Sequence, residues 1–458
     1  MNGSLYLLIH KSICTPKMFT LQFGQCGNQL GHALFSKIST DLECVNTGVP
    51  YNNNFQYSED TFNKWFSGIS KEGKRLARAF LVDTEDKVIK KICNDATIPW
   101  TYRTKNVICQ SGGGCANNWA YGYMIKGHEL KDQILNSIRQ EMERTDDFDG
   151  FLILLSSSGG TGSGIGSFIV QLLREEYSTK PIITTTILPF SFGEVCTQYY
   201  NTLFTLAKLY DHTDMNIIIE NEQVHDICKN LLKKSATSLN DMNEIISEKL
   251  LAVFQPINNS KSSVTALVSE IASHPSYKLA RIKSTPHIPT TYSKYESLHN
   301  WNPYIQHLKE TLRVPNLDSK LTDVELKPPP SLLSTTVHHV YACSVSNVLI
   351  TRGSKTDNDP IIANEFRDKR LYPDWNSANC FSHLHQQRKF LNYDKFLALL
   401  TNNSQISYSL DTALSKSWKS YTHAAYLHQY KRFGLEENDF LQAFSVLENV
   451  VKEYRELK

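Results

Sequence analysis

The segment from Phe151 to Tyr177 constrains the fold of this chain more than any other. It opens with an apolar run at residues 151–155, whose length and composition are typical of a buried parallel strand. The loop Gly159-Gly160-Thr161-Gly162-Ser163-Gly164 comes next, after three serines. Apolar residues then recur at helical spacing from Ile165 to Leu173. The segment is therefore predicted to form a strand, a glycine loop and a helix.

This glycine loop has the chemistry of an anion site. Glycines let the backbone approach a ligand closely, and the free N–H groups at the start of the next helix attract negative charge. Phosphate is the expected ligand. The loop has no Gly-Lys-Ser/Thr of a Walker A sequence, and it does not match a Gly-x-Gly-x-x-Gly dinucleotide fingerprint. Taken alone, it is equally compatible with a flexible glycine turn.

Two predicted strands near the N-terminus also end in loops that suit phosphate or Mg²⁺. Residues 19–23 precede Gly24-Gln25-Cys26-Gly27-Asn28-Gln29, in which the two glutamines can hydrogen-bond phosphate or metal-bound water. Residues 80–82 precede Asp83-Thr84-Glu85-Asp86, whose carboxylates can hold Mg²⁺ through water. Considered separately, both loops are also ordinary solvated turns.

Three later predicted strands, at residues 106–109, 181–190 and 215–219, end in loops of related chemistry. The first precedes Gly112-Gly113-Gly114-Cys115-Ala116-Asn117, and the second precedes Glu194, whose carboxylate can bind a ribose hydroxyl. The third precedes Asn221, whose amide has the donor and acceptor needed for a purine edge. Strands alternating with helices predict a parallel doubly wound sheet with these loops at one edge. Their convergence indicates a nucleotide site.

The composition narrows the class of partner. Lys and Arg total 48 against 46 Asp and Glu, for a net charge of +2, so the sequence predicts neither nucleic-acid nor membrane-surface binding. No apolar stretch approaches the ~18 residues of a membrane span. The ten cysteines show no Cys-x-x-Cys pair and no zinc spacing, which is typical of reduced thiols in the cytosol.

The length predicts several domains. Residues 1–17 are predicted to be a disordered N-terminal extension, or to precede the true start at Met18. A nucleotide-binding domain is predicted at 18–256, ending in a long helix that Ser238 and Asp241 open as a capping box. An α+β intermediate domain is predicted at 257–383, and two apolar stripes at helical spacing predict a helical layer at 384–458.

Four motifs together resemble the nucleotide loops of the tubulin family, in the same order and at close to the same spacing. They are Gly24-Gln25-Cys26-Gly27-Asn28-Gln29, Asn117-Asn118-Trp119-Ala120, the loop from Gly159 to Gly164, and Asn221-Glu222 with Asp226-Ile227-Cys228. The resemblance extends from about Met18 to the C-terminus. Within the family, Asn118-Trp119-Ala120-Tyr121-Gly122-Tyr123, Phe254-Gln255-Pro256 and Phe433-Gly434-Leu435-Glu436-Glu437-Asn438-Asp439-Phe440 are most similar to the delta class.

The resemblance implies a site for GTP or GDP with Mg²⁺. The residues that it implies for the phosphates are Gln25, Cys26, Gln29, Asn117, Gly159, Gly160, Thr161, Gly162, Ser163 and Gly164. It implies a Mg²⁺-bound water at Glu85, with Gln25 also near the metal, and the ribose at Glu194. It implies guanine at Asn221 and Asn243, with Leu239 over the base.

Three departures from the family pattern affect these expectations. Leu239 stands where an aromatic ring usually stacks on guanine, so the base loses the geometry of ring stacking. Ala116 and Ser158 each replace a glycine, which restricts backbone approach at two phosphate loops. Ala266 stands where alpha-tubulin presents a carboxylate to its neighbour's GTP, and Glu270 lies one turn further, a shift of ~6 Å. We therefore expect GTP binding without stimulation of hydrolysis in a partner.

Three functions remain open at the level of sequence. The resemblance to the delta class implies a structural subunit in the cytoplasm and cytoskeleton, at the centrosome, centriole, basal body and cilium. Its partners would be other tubulins and centriolar or basal-body proteins, and its role the assembly of triplet microtubules and cilia. A stand-alone GTPase predicts fast turnover by the monomer, and no in-chain base or nucleophile motif supports it. A divergent tubulin of ordinary microtubules predicts co-assembly, with residues 290–301 as a lateral contact loop or a plain surface loop.

Overall fold

The computed structural model describes residues 15–44, 50–110, 113–193, 195–257, 263–288, 301–313, 341–354, 364–376 and 380–457. Its strands are β1 (Lys17–Phe23), β2 (Phe66–Ile69), β3 (Arg75–Ala77), β4 (Ala79–Asp83), β5 (Trp100–Tyr102), β6 (Val107–Cys109), β7 (Phe148–Ser156), β8 (Ile182–Leu188), β9 (Met215–Glu220), β10 (Leu279–Thr285), β11 (Ser344–Gly353), β12 (Phe381–Gln386) and β13 (Lys395–Asn403). Its helices are α1 (Gly24–Glu43), α2 (Tyr51–Trp65), α3 (Asp86–Cys93), α4 (Trp119–Tyr121), α5 (Gly127–Met142), α6 (Gly166–Glu176), α7 (Gln198–His212), α8 (Asn221–Asp226), α9 (Leu239–Phe254), α10 (Val264–Ile271), α11 (Trp301–Glu310), α12 (Ile406–Thr422), α13 (Leu427–Lys431) and α14 (Glu437–Glu456).

Strand β7 is apolar from Phe151 to Leu155, and these five residues are buried because both faces of the strand are covered. Phe151, Ile153 and Leu155 point into one apolar layer, which includes side chains of α5, α6, α7, α12 and α14. Leu152 and Leu154 point into the other layer, which includes side chains of α1, α9 and α10. The predicted buried parallel strand is thereby confirmed, with helices on both faces of the sheet.

The parallel strands are ordered β6-β4-β1-β7-β8-β9. Strand β1 lies between β4 and β7, and its Leu21 is in register with Phe80 on one side and Ile153 on the other. This is a doubly wound order: from β1 the chain moves outward through β4 to β6, and it then returns to β7 on the other side of β1 and moves outward through β8 to β9. The predicted α/β fold class is confirmed, and the reversal point lies between β1 and β7.

The sheet continues without a break into the second half of the chain. Strand β10 pairs with β9 in parallel through Leu279 and Ala280, and with β13 in the antiparallel sense. Strand β11 lies between β13 and β12, so the described strands give a ten-stranded order, β12-β11-β13-β10-β9-β8-β7-β1-β4-β6. This shared sheet connects the region predicted as the intermediate domain to the nucleotide-binding region.

The two C-terminal apolar stripes form helices that cover α7. The second stripe lies on helix α14 and is buried; its residues are Phe440, Ala443, Phe444, Leu447, Val450, Val451 and Tyr454. Trp418 of α12 stacks on Phe444 with ring centroids 3.9 Å apart. The helical layer therefore packs directly on the helix that follows β8.

The long helix α9 begins as predicted. The side chain of Ser238 accepts a hydrogen bond from the backbone N–H of Asp241, and the carboxylate of Asp241 accepts one from the backbone of Ser238. Helix α9 lies along α1, where Lys37 forms ion pairs with Glu244 at 2.7 Å and Glu248 at 2.8 Å. These contacts place both helices on one face of the sheet. The N-terminal ends of both helices lie at the edge that carries the loops.

Several features of the fold were not predicted. Helix α2 and the small sheet β2-β3-β5 are among them. The strands of this sheet are three or four residues long and carry little periodicity. Strand β1 begins at Lys17, one residue before the predicted start at 18, and Thr15 donates a hydrogen bond to Asp60 at 2.8 Å. Residues 1–14 lie outside the described residues.

The proposed lateral loop at 290–301 lies outside the described residues except for Trp301. Trp301 begins α11, is buried, and lies under the ammonium group of Lys395 at 4.9 Å. In the described part of the chain, none of the helices combines the length and the apolar character that a bilayer span requires.

Candidate nucleotide site

The loops that follow β1 and β7 meet at the reversal point of the sheet. Gly24 has a φ of +68°, and an alanine Cβ at this position would lie 2.8 Å from the backbone nitrogen of Gly162. Only a residue without a side chain therefore allows these two backbones to approach each other. In open α/β sheets, ligands bind in the crevice beyond the strand ends at this point.

The glycine loop after β7 is packed rather than open. Residues Thr161–Ile165 form a π-helical turn that continues into α6, so the helical path begins inside the glycine sequence. A Cβ on Gly160 would lie 2.7 Å from Asn118 N and from Cys115 Cβ, and one on Gly164 would lie 2.8 Å from Gly122 Cα. At Gly159, a Cβ would meet nothing within 4 Å. Two of these glycines therefore serve packing between loops, and Gly159 is the one that faces open space.

The first predicted phosphate residues lie at the start of α1. Gln25 is exposed, whereas Cys26 and Gln29 are half-buried, and Gln25 and Gln29 share one face of the helix. Desolvation raises the pKa of the Cys26 thiol to about 12, so this residue is a neutral thiol at physiological pH. Asn28, in contrast, is buried and donates to the carbonyl of Gly24 at 2.9 Å. Its role is to hold the loop.

The acidic loop after β4 contains two carboxylates that differ in burial: one is hydrogen-bonded inside the protein, and the other is exposed. Asp83 is buried and accepts hydrogen bonds from Thr84 N at 2.8 Å and Asn28 Nδ2 at 3.3 Å, and burial raises its pKa to about 6. Glu85 is exposed beside Gly114. The described residues contain no group of three His, Cys, Asp or Glu side chains that could hold a metal alone. A Mg²⁺ bound mainly by phosphate and water, with one carboxylate, fits this donor set.

The third glycine loop carries backbone strain at the position where the sequence departs from the family. Ala116 has a φ of 48° and Asn117 a φ of 50°. Asparagine enters the left-handed region readily, whereas for alanine this conformation costs roughly 1–2 kcal/mol. The predicted restriction at Ala116 is therefore a strained backbone conformation.

Ala116→Gly is expected to raise the free energy of unfolding by about 0.5–1 kcal/mol. Relief of the left-handed strain exceeds the extra conformational entropy of glycine in the unfolded chain. The same change at Ala120, which lies in helix α4, has no strain to relieve and should lower stability by about 1 kcal/mol. Thermal melting of both variants tests this, and an Ala116→Gly midpoint at or below that of the wild type contradicts it.

Asn201 was missed by the sequence reasoning. This buried asparagine of α7 hydrogen-bonds the third loop at Asn117 and the glycine loop at Ser158. The buried residues of α7 also include Gln198, Thr202 and Thr205, so no apolar pattern in the sequence singles out Asn201, although a buried amide requires partners. Its partners, three backbone groups and the hydroxyl of Tyr430, are far away in sequence, so the sequence does not show them.

The predicted base-binding residues lie at the far end of the same edge. Asn221 is the first residue of α8 and is half-buried, and α8 contacts α9, whose Leu239 and Asn243 are one helical turn apart. Leu239 is 57% exposed. Glu194, the predicted ribose residue, lies outside the described residues. The Leu239 side chain and the Asn221 amide are thus accessible to a base, whereas Asn243 is buried.

The amide side chains at this edge fall into two groups. Asn28, Asn118 and Asn201 are buried and hydrogen-bonded to protein atoms. The predicted ligand amides make no hydrogen bond to any other residue within the described ranges; these are Gln25, Gln29, Asn117, Asn221 and Asn243. These five side-chain amides, of which Asn243 is buried, therefore have donors and acceptors that no described protein group uses.

Comparison with known proteins identifies the family. The family model described as "Tubulin/FtsZ family, GTPase domain" matches residues 17–229. The chain is 34% identical over 453 residues to the tubulin delta chain of Macaca fascicularis, covering 95% of this chain and 98% of that relative. It is 33% identical over 451 residues to the tubulin delta chain of Homo sapiens, with the same coverage. It is 25% identical over 453 residues to the tubulin gamma chain of Saccharomyces cerevisiae, covering 96% of this chain and 92% of that relative. The chain therefore belongs to the tubulin family.

Proposed function

We propose that this chain is a GTP-binding structural subunit of centrioles and basal bodies that acts in the assembly of triplet microtubules and cilia. Membership of the tubulin family supports the general part of this proposal: GTP binding, a place in the cytoskeleton and association with other tubulins. The centriolar role rests on similarity to tubulin delta chains along 95% of this chain. Under this proposal, 18–256 binds the nucleotide and 257–383 is intermediate. The region 384–458 supplies the outer helical layer through α12, α13 and α14, whereas its strand β13 belongs to the shared sheet between β11 and β10.

The available amides are the observation that carries the nucleotide assignment. In this proposal Gln25, Cys26, Gln29, Asn117 and the loop from Gly159 to Gly164 hold the phosphates of GTP or GDP. Glu85 and Gln25 face Mg²⁺ through water, Glu194 binds the ribose, and Asn221 and Asn243 bind guanine beneath Leu239. A bound nucleotide would supply hydrogen-bond partners to side chains that lack them within the described protein.

The proposed subunit does not stimulate hydrolysis in its neighbour through α10. Asp149, at the start of β7, fixes this helix by accepting hydrogen bonds from Ser263 Oγ at 3.0 Å and Val264 N at 2.5 Å. Ala266 therefore stays at the position that carries a carboxylate in alpha-tubulin, and Glu270 stays one turn away. Normal GTP turnover in a complex with a partner tubulin, abolished by Glu270→Ala, would contradict this part of the proposal.

Localisation and depletion in a ciliated cell that expresses this chain test the centriolar role. We expect the tagged chain at centrioles and basal bodies, and we expect its depletion to reduce triplet microtubules. Uniform decoration of cytoplasmic microtubules would instead support a divergent tubulin of ordinary microtubules. Fast GTP turnover by the isolated monomer would support a stand-alone GTPase.

A further inference from the structure

The carboxamide of Asn201 is a buried four-way junction. Its Nδ2 donates to the carbonyl of Asn117 at 2.8 Å and to that of Ser158 at 2.7 Å. Its Oδ1 accepts from the backbone N–H of Trp119 at 2.8 Å and from the hydroxyl of Tyr430 at 2.6 Å. These four bonds use both donors of the amide and both lone pairs of its oxygen. The group is fully enclosed, so its orientation is fixed by these partners.

The two carbonyls held by Asn201 belong to different proposed phosphate loops. Asn117 ends the third glycine loop, where two consecutive residues have positive φ values, and Ser158 precedes Gly159 in the loop after β7. Thr197 Oγ1 gives the Asn117 carbonyl a second hydrogen bond at 2.9 Å. A single side chain therefore sets the spacing of the two loops and keeps the third loop in its strained conformation.

One partner of Asn201, Tyr430, belongs to the C-terminal helical layer. Tyr430 of α13 is buried, and its neighbour Gln429 accepts a hydrogen bond through its carbonyl from Asn118 Nδ2 at 3.2 Å. The connection before α13 contains two residues in the left-handed region, Ala424 and Tyr426. Strained backbone of this kind persists where surrounding contacts determine it. Residues 424–430 are thus held against the third glycine loop and α7 by the hydrogen bonds of Gln429 and Tyr430.

We propose that Asn201 is a positioning residue for phosphate binding and that its bond to Tyr430 couples the phosphate loops to the C-terminal helical layer. This inference rests on the proposed nucleotide site. Coupling of this kind is reciprocal, so a change in the helical layer at Tyr430 alters nucleotide affinity, and the nucleotide alters the layer.

Asn201→Asp tests the positioning role. Aspartate has the same shape, but it loses both donors and places an oxygen against the carbonyls of Asn117 and Ser158. We expect the affinity for GTP and for GDP, measured by calorimetry with Mg²⁺, to fall about tenfold or more. The preference for GTP over ITP should stay unchanged, since it reports the base end of the site. A merely destabilised protein would not lose phosphate affinity while retaining base selectivity.

Tyr430→Phe tests the coupling, and Tyr200→Phe is its matched control. Tyr200 lies beside Asn201 on α7, and its hydroxyl also bonds the C-terminal layer, at the carbonyl of Ala425, 3.1 Å away. We expect Tyr430→Phe to weaken GTP binding about threefold to tenfold, and Tyr200→Phe to leave it within twofold. In an Asn201→Ala background, Tyr430→Phe should have no further effect on affinity.

The outcomes separate this inference from the proposed function. A wild-type chain that does not bind GTP overturns both. A wild-type chain that binds GTP, with Asn201→Asp binding equally well or losing GTP preference over ITP, overturns the positioning role alone. Equal effects of Tyr430→Phe and Tyr200→Phe overturn the coupling. The tyrosine pair remains decisive if Asn201→Asp does not fold.

Discussion

Gly160→Ala is expected to lower the free energy of unfolding by about 3 kcal/mol or more. The new Cβ would lie 2.7 Å from Asn118 N, Cys115 Cβ and Cys115 O, which are backbone and core atoms with no freedom to rotate away. The backbone at Gly160 has a φ of −96°, which alanine adopts without strain, so the effect is purely steric. We expect a clear drop in the thermal melting midpoint.

The adjacent glycine is the matched control. Gly159→Ala introduces a Cβ with no atom within 4 Å, so the melting midpoint should stay within a degree or two of the wild type. If Gly159 faces the phosphates as proposed, the same variant should bind GTP more weakly. A Gly160→Ala protein that melts like the Gly159→Ala protein would show that the loops do not pack as described.

The second large effect is expected at Arg352. This buried residue of β11 donates to the carbonyls of Ala252 at 3.0 Å, Gln255 at 2.8 Å and Pro256 at 3.2 Å, at the end of α9. Arg352→Met fills similar space but leaves the carbonyls of Ala252 and Gln255 without this donor, whereas the carbonyl of Pro256 keeps a hydrogen bond from Gln386 Nε2 at 3.4 Å. Buried acceptors that lose a partner cost about 1–3 kcal/mol each, so a loss of about 3 kcal/mol or more is expected.

Two variants control the Arg352 experiment. Arg352→Lys keeps the charge but replaces the planar fork by one ammonium group, which cannot reach all three carbonyls, so its melting midpoint should be intermediate. Arg370→Met removes an exposed arginine that pairs with Asp368 at 2.7 Å, and it should change stability by less than about 1 kcal/mol. A midpoint for Arg352→Met equal to that of Arg370→Met would contradict the assigned role.

The parts of the fold that depend on local pattern could be predicted. The uninterrupted apolar run of β7, the capping box at Ser238 and Asp241, and the stripe of α14 each follow from spacing that one element determines by itself. The position of the loops at one edge of the sheet could also be predicted, because the carboxyl ends of parallel strands lie at the same edge. The doubly wound sheet itself was predicted from the alternation of strands and helices.

The parts that depend on distant partners could not be predicted. Asn201 and Arg352 lie in segments that mix polar and apolar residues, and most of their partners are backbone groups that only the tertiary fold brings close. The continuation of the sheet from β9 to β10 rests on two residue pairs. Gly160 lies in a glycine-rich sequence that suggested contact with a ligand. Its neighbours in the structure show that it also allows two loops to pack closely.

Identification of the nucleotide in the purified, folded chain tests the central claim most directly. Mass analysis of the material released by mild denaturation is expected to show GTP or GDP in near-stoichiometric amount. Added GTP should bind the emptied protein, with Asn221→Ala reducing the preference for GTP over ATP. A folded chain that contains no guanine nucleotide and has no affinity for added GTP would contradict the account.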